Sequence, residues 1–255
     1  MAVRIKLIKD FKSEGKPLIV GLPGMGKVGY VSANFFVKEF NGELVAEIYS
    51  TYFPAQLVVG RDGVSTLFRG KIFDIGDALV FTADTQPPSP EGQNEVCEAL
   101  LSFLNGELDV KPEKPGVKAI IAAAAFVVPQ VGSLRRVFVA GNKDSIVKEF
   151  VKLGAQALNE GVITGINGAI VGWASLYDIP GVVVLGETWA PIVEFDETDY
   201  RAAKRVIEII ANYLNTKVDV SYMDGLANTV EGKVLTILKQ AAPRRPAREE
   251  RKEVL

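Results

Sequence analysis

Short apolar segments that alternate with helical patterns constrain the fold of this chain more than any other feature of its sequence. Two of these segments, 118–127 and 181–185, are apolar on both faces, as strands buried inside a parallel sheet are. Repeated alternation of strands and helices is typical of an α/β protein with helices on both faces of its sheet. The predicted strands are 17–21, 44–50, 56–59, 64–69, 78–82, 118–127, 136–140, 162–165 and 181–185.

One pair of predicted strands indicates that the sheet is not purely parallel. Segments 56–59 and 64–69 flank Arg61-Asp62-Gly63, a sequence typical of the turn of an antiparallel hairpin. We therefore predict an α/β fold in which residues 1–240 form a single doubly wound domain with a mixed, mostly parallel sheet.

Capping residues and composition indicate where the helices lie and where the domain ends. Ser89 is the predicted N-cap of the second helix, and Asp196 or Thr198 that of the fifth. Residues 241–255 contain two prolines and eight charged side chains, too few apolar groups to order the segment, so they are predicted to form a flexible charged tail. The predicted helices are 27–40, 90–105, 143–159, 168–177, 196–214 and 224–240.

The complete absence of histidine removes several kinds of chemistry. Without histidine, the chain cannot form a Ser-His-Asp triad, use an imidazole as general acid or base, or bind a metal through imidazole. Cys97 is the one cysteine, and it lies inside a predicted helix, where a small packed side chain is the simplest interpretation. We predict that the protein uses no metal and no cofactor.

Charge and hydropathy also limit the partners and the location of the protein. The net charge of −2 argues against nucleic-acid binding, which needs a basic surface, and the longest apolar run, 119–129, is too short to span a membrane. The N-terminal segment lacks the apolar stretch of a signal peptide, and a single cysteine suits a reducing compartment. A cytoplasmic location is therefore expected.

The turn at residues 21–29, Gly-Leu-Pro-Gly-Met-Gly-Lys-Val-Gly, nearly matches two nucleotide-binding motifs. In the P-loop alignment Val28 stands where a hydroxyl should hold Mg²⁺; in the dinucleotide alignment Glu47 is the acidic residue expected about 20 positions on. Backbone N–H groups beginning the next helix, with Lys27, would hold an anion. The alternative is that the glycines only permit a tight turn between strand and helix.

Two other polar positions follow predicted strands. Asn167 is placed to cap the fourth helix through its side-chain oxygen, at the carboxyl end of a strand, where α/β sheets bind ligands. Glu187 follows segment 181–185 and is the most chemically capable carboxylate, either as a general base or as an acceptor for a turn amide. The candidate anion-binding residues are Gly24, Gly26, Lys27, Asn167 and Glu187.

Four stretches, in this order, resemble the archaeal branch of the proteasome-assembly-chaperone family. They are 21–29, 83–88, 165–172 and 184–188, and the resemblance extends over residues 17–240. It implies a fold like that of nucleoside phosphorylases without an established catalytic activity. It also implies homo-oligomers that guide or cap the α-ring of the 20S proteasome.

The resemblance implies a role for the C-terminal residues in binding the proteasome. Partners of the proteasome often end in a hydrophobic residue, a tyrosine and any residue; here Val254 stands in the place of the tyrosine before Leu255. We expect these two residues to be the partner-binding end of the tail. The predicted function is a non-enzymatic homo-oligomeric chaperone or activator that binds proteasome α subunits or the 20S core. The alternatives are a nucleotide- or nucleoside-directed enzyme, like those labelled ATP-grasp ligases, that uses the turn at 24–29, and a module that binds a small anion.

Overall fold

The computed structural model describes residues 2–241, which form eleven strands and seven α-helices. The tail residues 242–255, with Val254 and Leu255, lie outside this range. The strands are β1 (Val3–Leu7), β2 (Pro17–Val20), β3 (Glu43–Ser50), β4 (Leu57–Val59), β5 (Ser65–Leu67), β6 (Gly70–Asp74), β7 (Leu79–Ala83), β8 (Ala119–Val128), β9 (Val137–Gly141), β10 (Gln156–Ala157) and β11 (Gly181–Trp189). The helices are α1 (Val28–Glu39), α2 (Pro90–Leu104), α3 (Asp144–Lys152), α4 (Ile166–Ala174), α5 (Ala190–Glu194), α6 (Tyr200–Tyr213) and α7 (Tyr222–Ala241).

Nine strands form one mixed sheet in the order β1-β3-β6-β7-β2-β8-β11-β9-β10. The four central strands, β7, β2, β8 and β11, run parallel to one another. β6, β3 and β1 continue the sheet antiparallel at one side, and β9 is antiparallel to β11 at the other. The prediction of an α/β fold with a mixed sheet that is mostly parallel in its centre is confirmed. β4 and β5 form a separate hairpin around Arg61-Asp62-Gly63, as predicted.

Helices cover both faces of the sheet because its central strands are apolar on both sides. α2 and α4 lie on one face, where Leu100 and Ile170 pack with Leu18 of β2. α1, α3 and α6 lie on the other, where Phe36 and Ile207 pack with apolar side chains of β2 and β8. α7 packs outside this layer, against α5 and α6.

The unequal lengths of two central strands shape the carboxyl edge of the sheet. β2 ends at Val20, opposite Ala122, whereas β8 continues beside β11 as far as Val128. Within residues 2–241, no strand pairs with positions 123–128 of β8 on the side of β2. The chain instead leaves β2 through the glycine turn and enters α1. A gap therefore opens in the middle of the sheet, where the parallel strands end.

Two predicted elements are wrong. Segment 162–165 is an extended loop outside the sheet, and Val162 is 90% exposed, so its apolar residues are not part of a buried strand. The helix predicted at 143–159 ends at Lys152, because Gly154 adopts a left-handed conformation (φ +102°) and the chain then forms β10.

The predicted helix caps have mixed outcomes. Ser89 caps α2 as predicted, since its hydroxyl accepts a hydrogen bond from the N–H of Gly92 (3.2 Å). The prediction for α6 is wrong: the cap is Asp199, whose Oδ1 accepts from the N–H of Ala202 (2.9 Å). The sequence offers three side chains of preferred N-cap type within four residues, Asp196, Thr198 and Asp199, and spacing alone does not choose among them.

Candidate functional site at the carboxyl edge of the sheet

Close packing accounts for most of the glycine turn. A Cβ atom on Gly21 would overlap the carbonyl oxygen of Gly29, and a Cβ on Gly29 would overlap the carbonyl oxygen of Ala123 in β8. Gly26 and Lys27 both adopt left-handed conformations, with φ of +56° and +53°. These positions are therefore explained by the turn that brings α1 directly onto the sheet, without any bound phosphate.

Lys27 is held by a neighbouring loop. Its Nζ donates a hydrogen bond to the carbonyl oxygen of Asp196 (2.7 Å) and lies 3.3 Å from the carboxylate of the same residue. The positive charge that would complete an anion site is therefore already paired.

Asn167 does not cap α4, so that prediction is wrong. Gly165 occupies the N-cap position, and Asn167 instead binds the backbone of Leu22 with both ends of its amide. Its Oδ1 accepts from the N–H of Leu22 (3.0 Å) and its Nδ2 donates to the carbonyl of the same residue (3.2 Å). Because Asn167 is only 6% exposed, this pair of bonds fixes the glycine turn against the start of α4.

Gln86 makes a second link of the same kind, which sequence reasoning did not find. Its Nε2 donates to the carbonyl of Pro23 (2.5 Å), and its Oε1 accepts from the N–H of Ile166 (2.9 Å). The available signal was its place in the polar loop that follows β7, but nothing in the sequence indicates that its amide reaches residue 166. Together with Asn167, Gln86 connects three loops at this edge of the sheet.

Glu187 is buried (2% exposed) and binds Arg136, the residue that precedes β9. Its Oε2 accepts from the backbone N–H of Arg136 (3.0 Å), and its Oε1 accepts from the Nε of the same residue (2.8 Å). Burial raises the pKa of the Glu187 carboxyl, but the hydrogen bonds and charge of Arg136 outweigh it, so the pKa lies below its ordinary value. Glu187 is therefore an ionised acceptor that connects β11 to β9, which does not suit a general base.

Glu47 does not occupy the place that the dinucleotide motif requires. It lies on β3, which β6 and β7 separate from β2. Its Oε1 lies 2.7 Å from the Nε of Arg69 and its Oε2 accepts from the hydroxyl of Tyr49 (2.8 Å). The interpretation of Glu47 as a ribose-binding carboxylate is wrong for this reason.

A cleft of about 700 Å³ occupies the gap beyond the end of β2. Gly24 and Asn167 line it, whereas Gly26, Lys27 and Glu187 do not. The candidate anion-binding residues therefore do not come together at one site. No acidic or basic side chain of the described residues lines the cleft; its walls are apolar with uncharged polar groups. The lining includes Met25, Thr85, Gln86, Gln93, Ala124, Ala125, Phe126, Val127, Leu158, Val162, Ile163 and Leu185.

A network of charges lies at the junction of α6 and α7. Arg135 is 2% exposed; its Nη2 donates to Glu231 of α7 (2.7 Å), and its Nε lies 3.6 Å from Oδ2 of Asp199. Arg201 of α6 binds the same Glu231 (3.1 Å). Burial raises the pKa of Asp199, although Arg135 and two backbone N–H donors act against the increase. The network holds α7 against the rest of the protein.

The structure also describes the cysteine, the possible metal ligands and the lengths of the apolar helices. Burial raises the pKa of Cys97 to about 12, as expected for a packed thiol. Within residues 2–241 there is no group of three or more cysteine, aspartate or glutamate side chains that could hold a metal ion. In the same range no helix is both long and apolar enough to cross a membrane.

The arrangement of the sheet and its loops is that of the PAC2 family, and the chain belongs to that family. The family model matches residues 18–237, which confirms the resemblance to proteasome-assembly chaperones. The solved structure of Pyrococcus furiosus PbaA, an archaeal homologue of proteasome-assembly chaperone, is 25% identical with a TM-score of 0.77, over 94% of this chain and 93% of that one.

Two further relatives extend the comparison. The structure of Pyrococcus furiosus PbaB, an archaeal proteasome activator, superposes with a TM-score of 0.81 over 93% of this chain and 99% of that one, at 23% identity, and so shares the fold. Uncharacterized protein MJ1210 of Methanocaldococcus jannaschii is 27% identical over 254 residues, covering 95% of this chain and 93% of the relative.

Proposed function

We propose that this protein is a proteasome-associated chaperone or activator that acts in the cytoplasm as a homo-oligomer, without catalysis. Membership of the PAC2 family over most of the chain is the observation that carries this proposal. The partners would be proteasome α subunits or the assembled 20S α-ring. That the fold is like that of nucleoside phosphorylases stays a prediction.

The contacts of the chemically capable residues support a role carried by surfaces. Lys27 is bound by Asp196, and Glu187 is bound by Arg136. Lys27, the cation on the turn at 24–29, is therefore already paired, and no carboxylate of the described residues lines the cleft. These contacts disfavour a nucleotide-directed enzyme and a site for a small anion.

The tail remains the proposed docking element. A single tail, residues 241–255 with Val254 and Leu255, would bind the α-ring weakly, because a segment whose composition predicts flexibility loses entropy when it orders on its partner. Several tails on one oligomer raise the apparent affinity through their effective concentration. We expect the 1–240 truncation to keep the fold but to bind purified α-rings at least about tenfold more weakly than the full chain.

Surface plasmon resonance with immobilised α-rings measures this difference in affinity. The Val254→Tyr variant tests for an increase in affinity by the same measurement. If the tail uses the pockets that accept a hydrophobic residue followed by tyrosine, Val254→Tyr should strengthen binding. Equal binding by the truncated and full chains would move the interface to the folded part. Absence of binding by both chains to α-rings and to isolated α subunits would overturn the proposed function.

The β4–β5 hairpin offers a surface for the proposed homo-oligomer. Leu57, Val59 and Leu67 are 62%, 63% and 55% exposed, and the pairing of Leu57 with Leu67 places all three on one face. Two strands alone are marginally stable in water, so an apolar hairpin face favours a further partner. Within residues 56–60, β4 and its flanks carry no charge. Two copies of β4 paired antiparallel about Val58 would place Leu57 of each copy opposite Val59 of the other.

Charged substitutions on this face test the interface. Leu57→Asp with Val59→Asp should convert the oligomer to a species near the 27.6 kDa of one chain, because each copy would bury two unpaired carboxylates in the contact. Multi-angle light scattering at micromolar concentration measures the mass. The control is Leu176→Asp, a substitution at a 76% exposed position on the turn after α4. An unchanged mass in the hairpin variant would place the interface elsewhere, and a monomeric wild type would overturn the oligomer proposal.

A further inference from the structure

The cleft exposes backbone groups of a strand in the centre of the sheet. The N–H of Ile120 donates to the carbonyl of Pro180 (2.9 Å), so even-numbered residues of β8 direct their backbone groups toward β11. Consecutive residues of a strand point these groups to opposite sides, so Ala125 and Val127 direct theirs toward the missing continuation of β2. Both residues line the cleft. Among the described residues, no hydrogen bond satisfies their N–H or carbonyl groups on that side.

Gly24 leaves room for another chain to approach this edge. Its φ of −168° is extended, a conformation open to any residue. A Cβ atom there would meet nothing nearer than Nε2 of Gln86, at 3.8 Å. Unlike Gly21, Gly26 and Gly29, this glycine is therefore not required by the packing of its own chain. It lines the same cleft as the exposed end of β8.

We propose that the cleft binds an extended, uncharged and mainly apolar segment of a partner polypeptide, which adds as a strand along Ala125 and Val127. The unpaired donors and acceptors of β8 recognise a peptide backbone, which supplies both kinds of group at the strand spacing. Apolar walls that include Phe126, Leu185 and Val162 receive its side chains. The unpaired length that lines the cleft, residues 124–127, suits a segment of about four residues, roughly 13 Å long, because Gly29 already packs against the carbonyl of Ala123.

The absence of charge among the described lining residues selects the occupant. A free terminal carboxylate or a charged side chain would lose its hydration there without gaining a partner. Residues 251–255, Arg-Lys-Glu-Val-Leu, carry three charged side chains, so they do not fit the cleft. An internal apolar segment of another protein does. This site is separate from the proposed docking of the tail and does not require the partner to be a proteasome subunit.

Fluorescence anisotropy with the full-length chain tests the proposal. The probe is a labelled, capped heptapeptide of alternating valine and threonine between two glycines. We expect it to bind with a dissociation constant below about 1 mM, whereas the same peptide with a central aspartate or lysine, and the free pentapeptide of residues 251–255, should bind at least about tenfold more weakly.

N-methylation of the probe distinguishes strand addition from simple burial of apolar groups. Methyl groups on the alternate amides that face β8 should abolish binding. Methyl groups on the other amides, which point away from β8, should leave binding unchanged. Amide hydrogen exchange of Ala125 and Val127 should slow when the peptide binds. Equal binding by both methylated peptides would overturn strand addition, as would no detectable binding of the parent peptide or tight binding of the charged pentapeptide.

Matched surface variants locate the site. Val162→Asp places a carboxylate on the wall of the cleft and should lower the affinity for the probe at least about tenfold. Leu176→Asp makes the same kind of change at an exposed apolar residue outside the lining and should leave affinity unchanged. Gly24→Leu should block the cleft, and Gly172→Leu, at a helical position open to solvent, is its control. Unchanged affinity in both cleft variants would contradict the assignment.

Discussion

Replacing Gly29 by alanine should destabilise the protein by about 3 kcal/mol or more. The new Cβ would overlap the carbonyl oxygen of Ala123, which belongs to a central strand and cannot rotate away. α1 would have to move off the sheet and expose apolar residues such as Phe36. The midpoint of urea denaturation, followed by circular dichroism, measures the loss.

Gly24→Ala is the matched control within the same turn. Its Cβ would meet only atoms at 3.8 Å or beyond, so we expect a change within about 0.5 kcal/mol, of either sign. A phosphate-binding turn would give a different pattern, in which both alanine variants fold equally well and both lose ligand affinity. Equal stability of the two variants would contradict the packing explanation of Gly29.

Arg135→Met should cost about 3–5 kcal/mol of unfolding free energy, because it removes one partner from a buried set of charges. The side chains of Arg135 and Asp199 are 2% and 0% exposed. Without the guanidinium, Asp199 would keep only its backbone donors, and Glu231 would lose its bond of 2.7 Å. Arg201→Met, which removes a side chain that is 21% exposed and bound to the same Glu231, should cost about 1 kcal/mol or less.

Dependence on pH separates lost charge pairing from lost packing. Burial already raises the pKa of Asp199, and removing Arg135 raises it further. The pKa of Asp199 is then higher in the folded variant than in the unfolded chain. The loss of unfolding free energy relative to wild type should therefore be largest above the folded pKa and should become smaller as the pH falls through it. Adding Asp199→Asn to the Arg135→Met variant should recover part of the lost unfolding free energy at pH 7. A deficit that is the same at pH 4 and pH 7 would assign the loss to packing alone.

The central architecture was predictable from sequence because it follows from local patterns. Segments 118–127 and 181–185 are apolar on both faces, and they form the parallel core as β8 and β11. The predicted strands omit β1, although its sequence Val-Arg-Ile-Lys-Leu alternates apolar and charged side chains as a half-buried strand does. Segment 162–165 looked like a strand because apolar residues that line a cleft have the same composition as those in a sheet.

The connections within the site were less predictable because they join distant residues. Asn167 binds Leu22 across 145 positions, and Gln86 binds Ile166 across 80. A side-chain amide in a loop has no periodic signature, so only the folded chain shows which backbone it reaches. The pairing of Lys27 with Asp196 is of the same kind, and it changes the chemistry that the sequence motif implies.

The burial of Cys97 makes this protein unusually convenient for spectroscopic labelling. With a pKa of about 12, the Cys97 thiol is almost wholly protonated at pH 7, and the side chain is inaccessible to reagents. A cysteine introduced on the surface should therefore react with a maleimide alone, without removal of the native residue. Pairs of spin labels or fluorophores placed on the hairpin and on α7 could report distances within and between chains in an otherwise unaltered protein.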